Sequence, residues 1–89
     1  MSRPVPVYHR NFEKQLAKLP QKQRDKAIDA IEEFVSNPLR PSLRVHALKG
    51  KWSGYISISA GGDLRLHFKP VNGNKILFVA VGTHAQLYR

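Results

Sequence analysis

Cysteine is absent from this 89-residue chain, and acidic residues are scarce. Without cysteine there is no disulfide framework and no thiolate metal site, which is typical of proteins from a reducing compartment. No apolar run approaches the roughly 20 residues needed to cross a bilayer, and the N-terminus has no apolar signal core. We therefore expect a soluble cytoplasmic protein with no membrane partner. The length predicts one small domain over residues 1–89.

Positive charge is in excess. Six Asp and Glu oppose fifteen Lys and Arg, which gives a net charge of +9. Residues 1–37 carry seven basic and five acidic residues, net +2, whereas residues 38–89 carry eight basic residues and one acid, Asp63, net +7. A basic surface almost free of acids predicts an anion-binding face, most often for nucleic acid. There are two other interpretations: the basic surface has no ligand, or it binds an acidic protein partner.

The first part of the chain predicts a strand and two helices. Residues 3–8 contain two prolines, so we expect an edge strand. Residues 9–19 have apolar residues at helical spacing, with Asn11 as candidate N-cap and Pro20 as the stop. Residues 21–36 repeat the pattern, and the short break predicts an antiparallel helical hairpin. The predicted inner face of the second helix consists of Arg24, Ala27, Ile28, Ile31, Phe34 and Val35.

The second part alternates polar and apolar residues, as β-strands do. Residues 53–60 and 63–69 flank Gly61-Gly62, a hairpin turn signal. Residues 75–81 are apolar throughout, which indicates a central strand. The predicted fold class is α+β, with an N-terminal edge strand and an antiparallel helical hairpin packed on one face of a mainly antiparallel β-sheet. The residues expected on the other, open face are Tyr55, Ser57, Arg65, His67 and Lys69.

Basic residues and a tryptophan lie between the second helix and the hairpin. Basic loops contact phosphates, and an aromatic ring can stack on a base. For Trp52 we favour packing in the core, because a single Trp beside a strand usually packs there. The candidate RNA-binding residues of the whole chain are Arg40, Arg44, Lys49, Lys51, His67 and Lys69.

The segment Val81–Tyr88 follows the most apolar strand and presents His84 and Tyr88. Histidine is the side chain whose ordinary pKa lies near neutrality, and a tyrosine four residues later can stack or donate a proton. A buried strand that stops at a glycine and then presents such residues is typical of a scaffold that offers chemistry to a ligand.

The blocks Leu48–Tyr55 (LKGKWSGY) and Val81–Tyr88 (VGTHAQLY), with shorter matches at residues 12–20, 37–38 and 63–68, resemble the RelE/ParE superfamily of bacterial type II toxins. The likeness is greatest to its YafQ and RelE-like branches and covers nearly the whole chain. It implies a RelE-like fold and an endonuclease, without metal or cofactor, that cleaves mRNA in the ribosomal A site. It also implies a separate acidic antitoxin as partner, beside the ribosome and mRNA.

The resemblance implies site residues as well. Those of the YafQ-like pattern are His46, Asp63, His84 and Tyr88. Arg65 fits an arginine of RelE-like toxins. Where YafQ-like toxins have another catalytic histidine, this sequence has Ser59, so the chain mixes the two patterns.

RNA cleavage of this kind needs a base for the 2′-OH, a cation for the phosphate and an acid for the leaving 5′ oxygen. His84 is the acid or the base, and His46 or Asp63 is its counterpart. Arg65, with Lys49 or Lys51, would stabilise the phosphate, while Tyr88 stacks or orients. His67, one pleat along from Arg65, is an additional candidate. Two other functions remain open: a ParE-like inhibitor of DNA gyrase that is not a nuclease, and a catalytically decayed RNA-binding module.

Overall fold

The computed structural model of the protein describes residues 3–88. Over this range all strands lie in one sheet, in the order β1-β5-β4-β3-β2. Only β1 and β5 pair in parallel; the other neighbours are antiparallel. The elements in chain order are β1 (Val5–Tyr8), α1 (Arg10–Lys18), α2 (Gln21–Ser36), β2 (His46–Ala47), β3 (Ile56–Ser59), β4 (Leu64–Pro70), β5 (Lys75–Thr83) and α3 (His84–Leu87). The α+β fold class is confirmed.

Strand β1 is an edge strand, as its prolines predict. The amides of Val5 and His9 donate to Asn74 O and Phe78 O, both at 2.9 Å, so odd-numbered positions face β5. Pro4 and Pro6 therefore occupy the outward positions, where a backbone N–H would be unpaired. Prolines at these positions remove donors that could pair with another chain.

Helices α1 and α2 form the predicted hairpin, with two corrections to its details. The N-cap of α1 is His9, whose Nδ1 accepts from the Asn11 amide at 3.0 Å; Asn11 is not the cap. Ile28, expected inside, is 41% exposed, whereas Ala30 is buried. Arg24 links the two helices, because its guanidinium donates to the carbonyls of Leu16, Ala17 and Leu19 at the end of α1.

Aromatic rings fill the space between the helices and the sheet. Phe12 of α1 is fully buried, with its ring centroid 5.5 Å from that of Phe78 on β5. Phe68 on β4 packs against Phe78 at 5.2 Å and Phe34 of α2 at 5.0 Å. Tyr8 stacks on the outer side of Phe12, where burial, and secondarily the Glu32 carboxylate, raise its pKa. These contacts make the helix side of the sheet an almost entirely apolar core.

A one-residue shift in register between β4 and β5 explains why the apolar run at residues 75–81 does not alternate. His67 lies opposite Ala80, but the next pair is Phe68 and Phe78, so Val79 is the extra residue of a β-bulge. The bulge lets both Phe78 and Val81 enter the helix-side core.

The loop between α2 and β3 contains a short strand, β2, that the sequence pattern did not predict. Strand β2 is two residues long and pairs with β3, so that His46 lies opposite Ser57. Two 3-10 turns, Pro41–Leu43 and Gly50–Trp52, flank it. Within residues 3–88, no helix is long and apolar enough to span a membrane.

Candidate active site

The sheet face turned away from the helices carries a second buried layer, where we expected an open face. Ser57 and His67 have no exposed surface. They are cross-strand partners on β3 and β4, and Leu48, Ala80 and Leu87 are buried outside the helix-side core. The prediction that Ser57 and His67 are open is wrong. His67 is consequently not available for direct RNA contact.

Two aromatic side chains pack against the His67 ring. Trp52 meets it edge-on, with the centroids 4.5 Å apart, and Tyr88 packs at 5.4 Å. Tyr88 Oη lies 3.3 Å from His67 Nε2. Tyr55 in turn packs edge-on against Trp52, with ring centroids 5.3 Å apart. Burial, and then the nearby charges of His46 and His84, lower the pKa of His67 to about 4. The imidazole is therefore neutral at pH 7.

Trp52 connects this layer to the end of the chain. Its Nε1 donates to the carbonyl oxygen of Leu87, 35 residues later, at 2.9 Å. Trp52, expected in the core, is half-buried and packs on the layer opposite the helices. This one bond ties the 3-10 turn at residues 50–52 to α3, so the two sequence blocks that carried the resemblance are in contact.

Helix α3 depends on a glycine and a capping box. Thr83 Oγ1 accepts from the Gln86 amide at 3.2 Å, and Gln86 Oε1 accepts from the Thr83 amide at 2.8 Å. A Cβ on Gly82 would lie 2.8 Å from that same Gln86 Oε1. Glycine at 82 thus leaves room for the box that starts α3 and presents His84 and Tyr88.

His84 lies at the open end of the site. Its ring is exposed and packs on Tyr88, with centroids 4.4 Å apart and planes 32° apart. Its backbone amide donates to the carbonyl oxygen of Asp63 at 3.1 Å. The end of β5 and the turn before β4 therefore bring His84, Tyr88 and Asp63 together, although Asp63 holds His84 through its backbone.

Arg65 is one row along β4 from His67, on the same face, and pairs with Ser59. Its Nη1 donates to Ser59 Oγ at 3.2 Å and to the carbonyls of Gly62 and Leu64 at 3.0 and 3.1 Å. Its Nε and Nη2 have no hydrogen bond to any residue of 3–88, which leaves one edge of the guanidinium for a phosphate. Ser59, which replaces the expected histidine, thus positions an arginine.

His46 lies on the other side of His67, on β2. Its Nδ1 is 2.8 Å from the carbonyl oxygen of Arg44. A carbonyl oxygen only accepts, so Nδ1 carries the proton, and in the neutral ring Nε2 has the free lone pair. A histidine oriented in this way has the geometry of a general base.

The basic residues are distributed unevenly around this face. Lys69 Nζ lies 5.5 Å from the Tyr55 ring centroid on the same face. Arg44, Lys49 and Lys51 are exposed in the loop that carries β2. Arg40 points to the helical side, where its Nη1 is 3.4 Å from Glu33 Oε1, so the structure separates Arg40 from the other candidate RNA-binding residues.

Three residues that position the site were not assigned to it from sequence: Ser59, Gly82 and Gln86. The spacing Thr83-x-x-Gln86 could have indicated the capping box. Among residues 3–88, no group of three or more His, Cys, Asp or Glu is arranged to hold a metal ion.

The fold is that of RelE-like toxins. YafQ from Escherichia coli strain BL21(DE3) matches with a TM-score of 0.77 and 26% identity, covering 98% of this chain and 100% of that one. YafQ in the Escherichia coli DinJ-YafQ toxin-antitoxin complex gives 0.74 at 26% identity, covering 98% and 99%. A YoeB/ParE toxin from Agrobacterium tumefaciens shares the fold at 0.71 and 17% identity, covering 94% and 99%.

The sequence comparison gives the family. Residues 5–89 match YafQ, a bacterial toxin of a type II toxin-antitoxin system. The chain therefore belongs to the YafQ toxin family. No curated protein matches it in a comparison of sequences.

Proposed function

We propose that this toxin is a metal-free, ribosome-dependent endoribonuclease that cleaves mRNA in the A site and so inhibits translation. One observation carries the proposal. His46, with its Nε2 lone pair free, and His84, with an exposed ring, lie on opposite sides of the His67 layer, and Arg65 extends a free guanidinium edge on the same face. A base, an acid and an anion-binding cation on one face are the groups that phosphodiester cleavage requires.

In this mechanism His46 Nε2 takes the proton of the ribose 2′-OH, and the 2′ oxygen attacks the adjacent phosphorus. Arg65 stabilises the negative charge that develops on the phosphate oxygens. His84 gives a proton to the leaving 5′ oxygen, so the products are a 2′,3′-cyclic phosphate and a 5′-hydroxyl. The Tyr88 ring packs against the His84 ring and orients it. The ribosome would hold the mRNA in place against this site.

Asp63 is the competing base, and two variants decide between it and His46. His46→Gln removes the Nε2 lone pair and should lower the single-turnover cleavage rate on ribosome-bound mRNA by roughly 10²-fold or more. Asp63→Asn keeps the backbone bond to His84 and should have a much smaller effect. The reverse order of the two effects would assign the base to Asp63.

A gyrase inhibitor of ParE type would not need an oriented histidine pair, which is why the nuclease is favoured. Primer extension on mRNA after induction, beside a DNA supercoiling assay, separates the candidates. Cleavage at codon positions with unchanged supercoiling is expected. Relaxed or broken DNA with intact mRNA would show a gyrase inhibitor, and no effect in either assay would show an RNA-binding module.

The proposed protein partner is a cognate acidic antitoxin. Escherichia coli YafQ forms a complex with DinJ, and the net charge of +9 here favours an acidic partner. A groove of about 460 Å³ between the α1–α2 turn and α3, lined by Gln15, Lys18, Leu19 and Leu87 among others, could take part of it. Co-expression with the product of the neighbouring reading frame should give a stable, non-toxic complex; toxicity undiminished by that product would contradict the pairing.

A further inference from the structure

We propose that His67 is a positioning residue: as a neutral, Nε2-protonated imidazole, it donates a hydrogen bond to the Tyr88 oxygen and thereby leaves the Tyr88 hydroxyl proton for the RNA phosphate. The inference rests on the proposed nuclease function for the role of Tyr88, but the protonated nitrogen of His67 is a property of the free protein. His67 was a candidate RNA-binding residue, and its burial rules out that direct role.

The contact geometry sets the possibilities. His67 Nε2 and Tyr88 Oη are 3.3 Å apart, and either atom can donate in principle. If Tyr88 donates, its only proton is used inside the protein, and His67 must carry its own proton on Nδ1. If His67 donates, Nδ1 is bare and the Tyr88 proton points elsewhere.

Burial decides between these two states. His67 Nδ1 is buried and has no hydrogen-bond partner among residues 3–88. A buried N–H donor without an acceptor is rarer and more costly than an unused lone pair. The state with the proton on Nε2 avoids the unpaired donor, and the low pKa of His67, about 4, keeps the ring from carrying both protons at pH 7.

The surroundings hold this arrangement in place. Trp52 packs edge-on against His67, and its Nε1 bond to Leu87 O fixes the residue next to Tyr88. Tyr88 in turn packs against His84. When His67 donates to the Tyr88 oxygen, the Tyr88 hydroxyl proton turns away from His67. It is then directed to the side where His84 is exposed, and there it can bond a phosphate oxygen. His67 thus acts on the substrate through Tyr88 and touches no substrate itself.

The first test needs no activity. Two-bond ¹H–¹⁵N correlation spectra of the histidine rings at pH 7 distinguish a ring protonated on Nε2 from one protonated on Nδ1. We expect the His67 signals, assigned by their loss in His67→Gln, to report an Nε2-protonated neutral ring. An Nδ1-protonated ring would overturn the proposal, whether or not the protein cleaves RNA.

The second test is a double-mutant cycle on single-turnover cleavage of ribosome-bound mRNA. His67→Phe fills the space but cannot donate, and Tyr88→Phe removes the hydroxyl. Each should reduce the rate by about tenfold, and the double variant should be no slower than either single one, since both changes remove one interaction. Multiplying effects would contradict the proposal, whereas a wild-type protein that does not cleave would contradict the nuclease function instead.

Two further variants separate positioning from stability. His67→Gln retains an amide donor and should recover part of the rate lost in His67→Phe. Ile58→Val, on the helix side of neighbouring β3, should lower the melting temperature without a change in cleavage rate. If His67→Gln is as slow as His67→Phe, or if Ile58→Val slows cleavage in proportion to its loss of melting temperature, the effect of His67 is structural.

Discussion

The two faces of the sheet differ in what they bury. The helix side buries apolar side chains only, with Phe12, Phe68 and Phe78 in mutual contact. The other side buries Ser57 and His67 beneath Trp52 and Tyr88. A buried serine or histidine contributes less hydrophobic stabilisation than an apolar residue of similar size, so this layer is less favourable for stability than the helix-side core.

The two faces of the sheet contribute differently to stability and to the proposed chemistry. The helix side stabilises the sheet, and the rigid sheet then holds the polar layer, on which His46, Arg65 and His84 are arranged. Substitutions on the first face should change the free energy of unfolding with little effect on chemistry. Substitutions on the second should change chemistry more than stability, and the predictions for Phe12 and His84 below test that division.

The largest expected effect on stability is at Phe12. Phe12→Ala removes a fully buried ring and should lower the free energy of unfolding by about 3–5 kcal/mol, as measured by urea denaturation. Cleavage per folded molecule should stay at the wild-type value, and Phe12→Leu serves where the alanine variant does not fold. A rate loss beyond the unfolded fraction would break the division between the faces.

A pH-dependent effect comes from His67. Its pKa falls from 6.5 in the unfolded chain to about 4 in the folded one, so the unfolded state binds the proton first as the pH drops. The free energy of unfolding is therefore unaffected by the titration of His67 above pH 6.5. It falls as the pH drops from 6.5 toward 4, by up to about 3 kcal/mol. Urea denaturation at several pH values should show this loss in wild type and not in His67→Phe; equal slopes in the two proteins would contradict it.

A smaller effect on stability is expected at Gly82. Gly82→Ala places a Cβ against Gln86 Oε1 and should break the capping box at a cost of about 0.5–2 kcal/mol. Displacement of α3 should slow cleavage by roughly tenfold or more. Gln86→Ala removes the same hydrogen bond and should give the same losses of stability and cleavage rate. If Gln86→Ala has these effects and Gly82→Ala has none, a Cβ at position 82 does not disrupt the capping box.

The elements with strong local signals were predictable from the sequence. Both helices, the β3–β4 hairpin and the edge strand follow from periodicity, proline positions and Gly61-Gly62. Strand β2 was not predicted, because two residues, His46 and Ala47, are too few to show alternation. The N-cap at His9 was missed because histidine is an uncommon cap.

The arrangement of the candidate site followed from the sequence only in part. The sequence selects His84 and Tyr88 as candidates, but nothing local shows that His67 is buried, since its cover comes from Trp52 and Tyr88, 15 residues before it and 21 residues after it. Likewise the pairing of Arg40 with Glu33 depends on how the loop after α2 folds back. The roles assigned to His46, Asp63, Arg65 and the surrounding cations stay predictions.

The most direct test of the proposed nuclease site is the single-turnover cleavage rate of His84→Ala on ribosome-bound mRNA, measured beside its melting temperature. The rate should fall by about 10²- to 10⁴-fold while the melting temperature is unchanged, because the ring is exposed. His9→Asn is the control, because it replaces the histidine that caps α1 with another capping residue. This variant should behave as wild type. Wild-type cleavage by His84→Ala would contradict the assignment of this face as the active site.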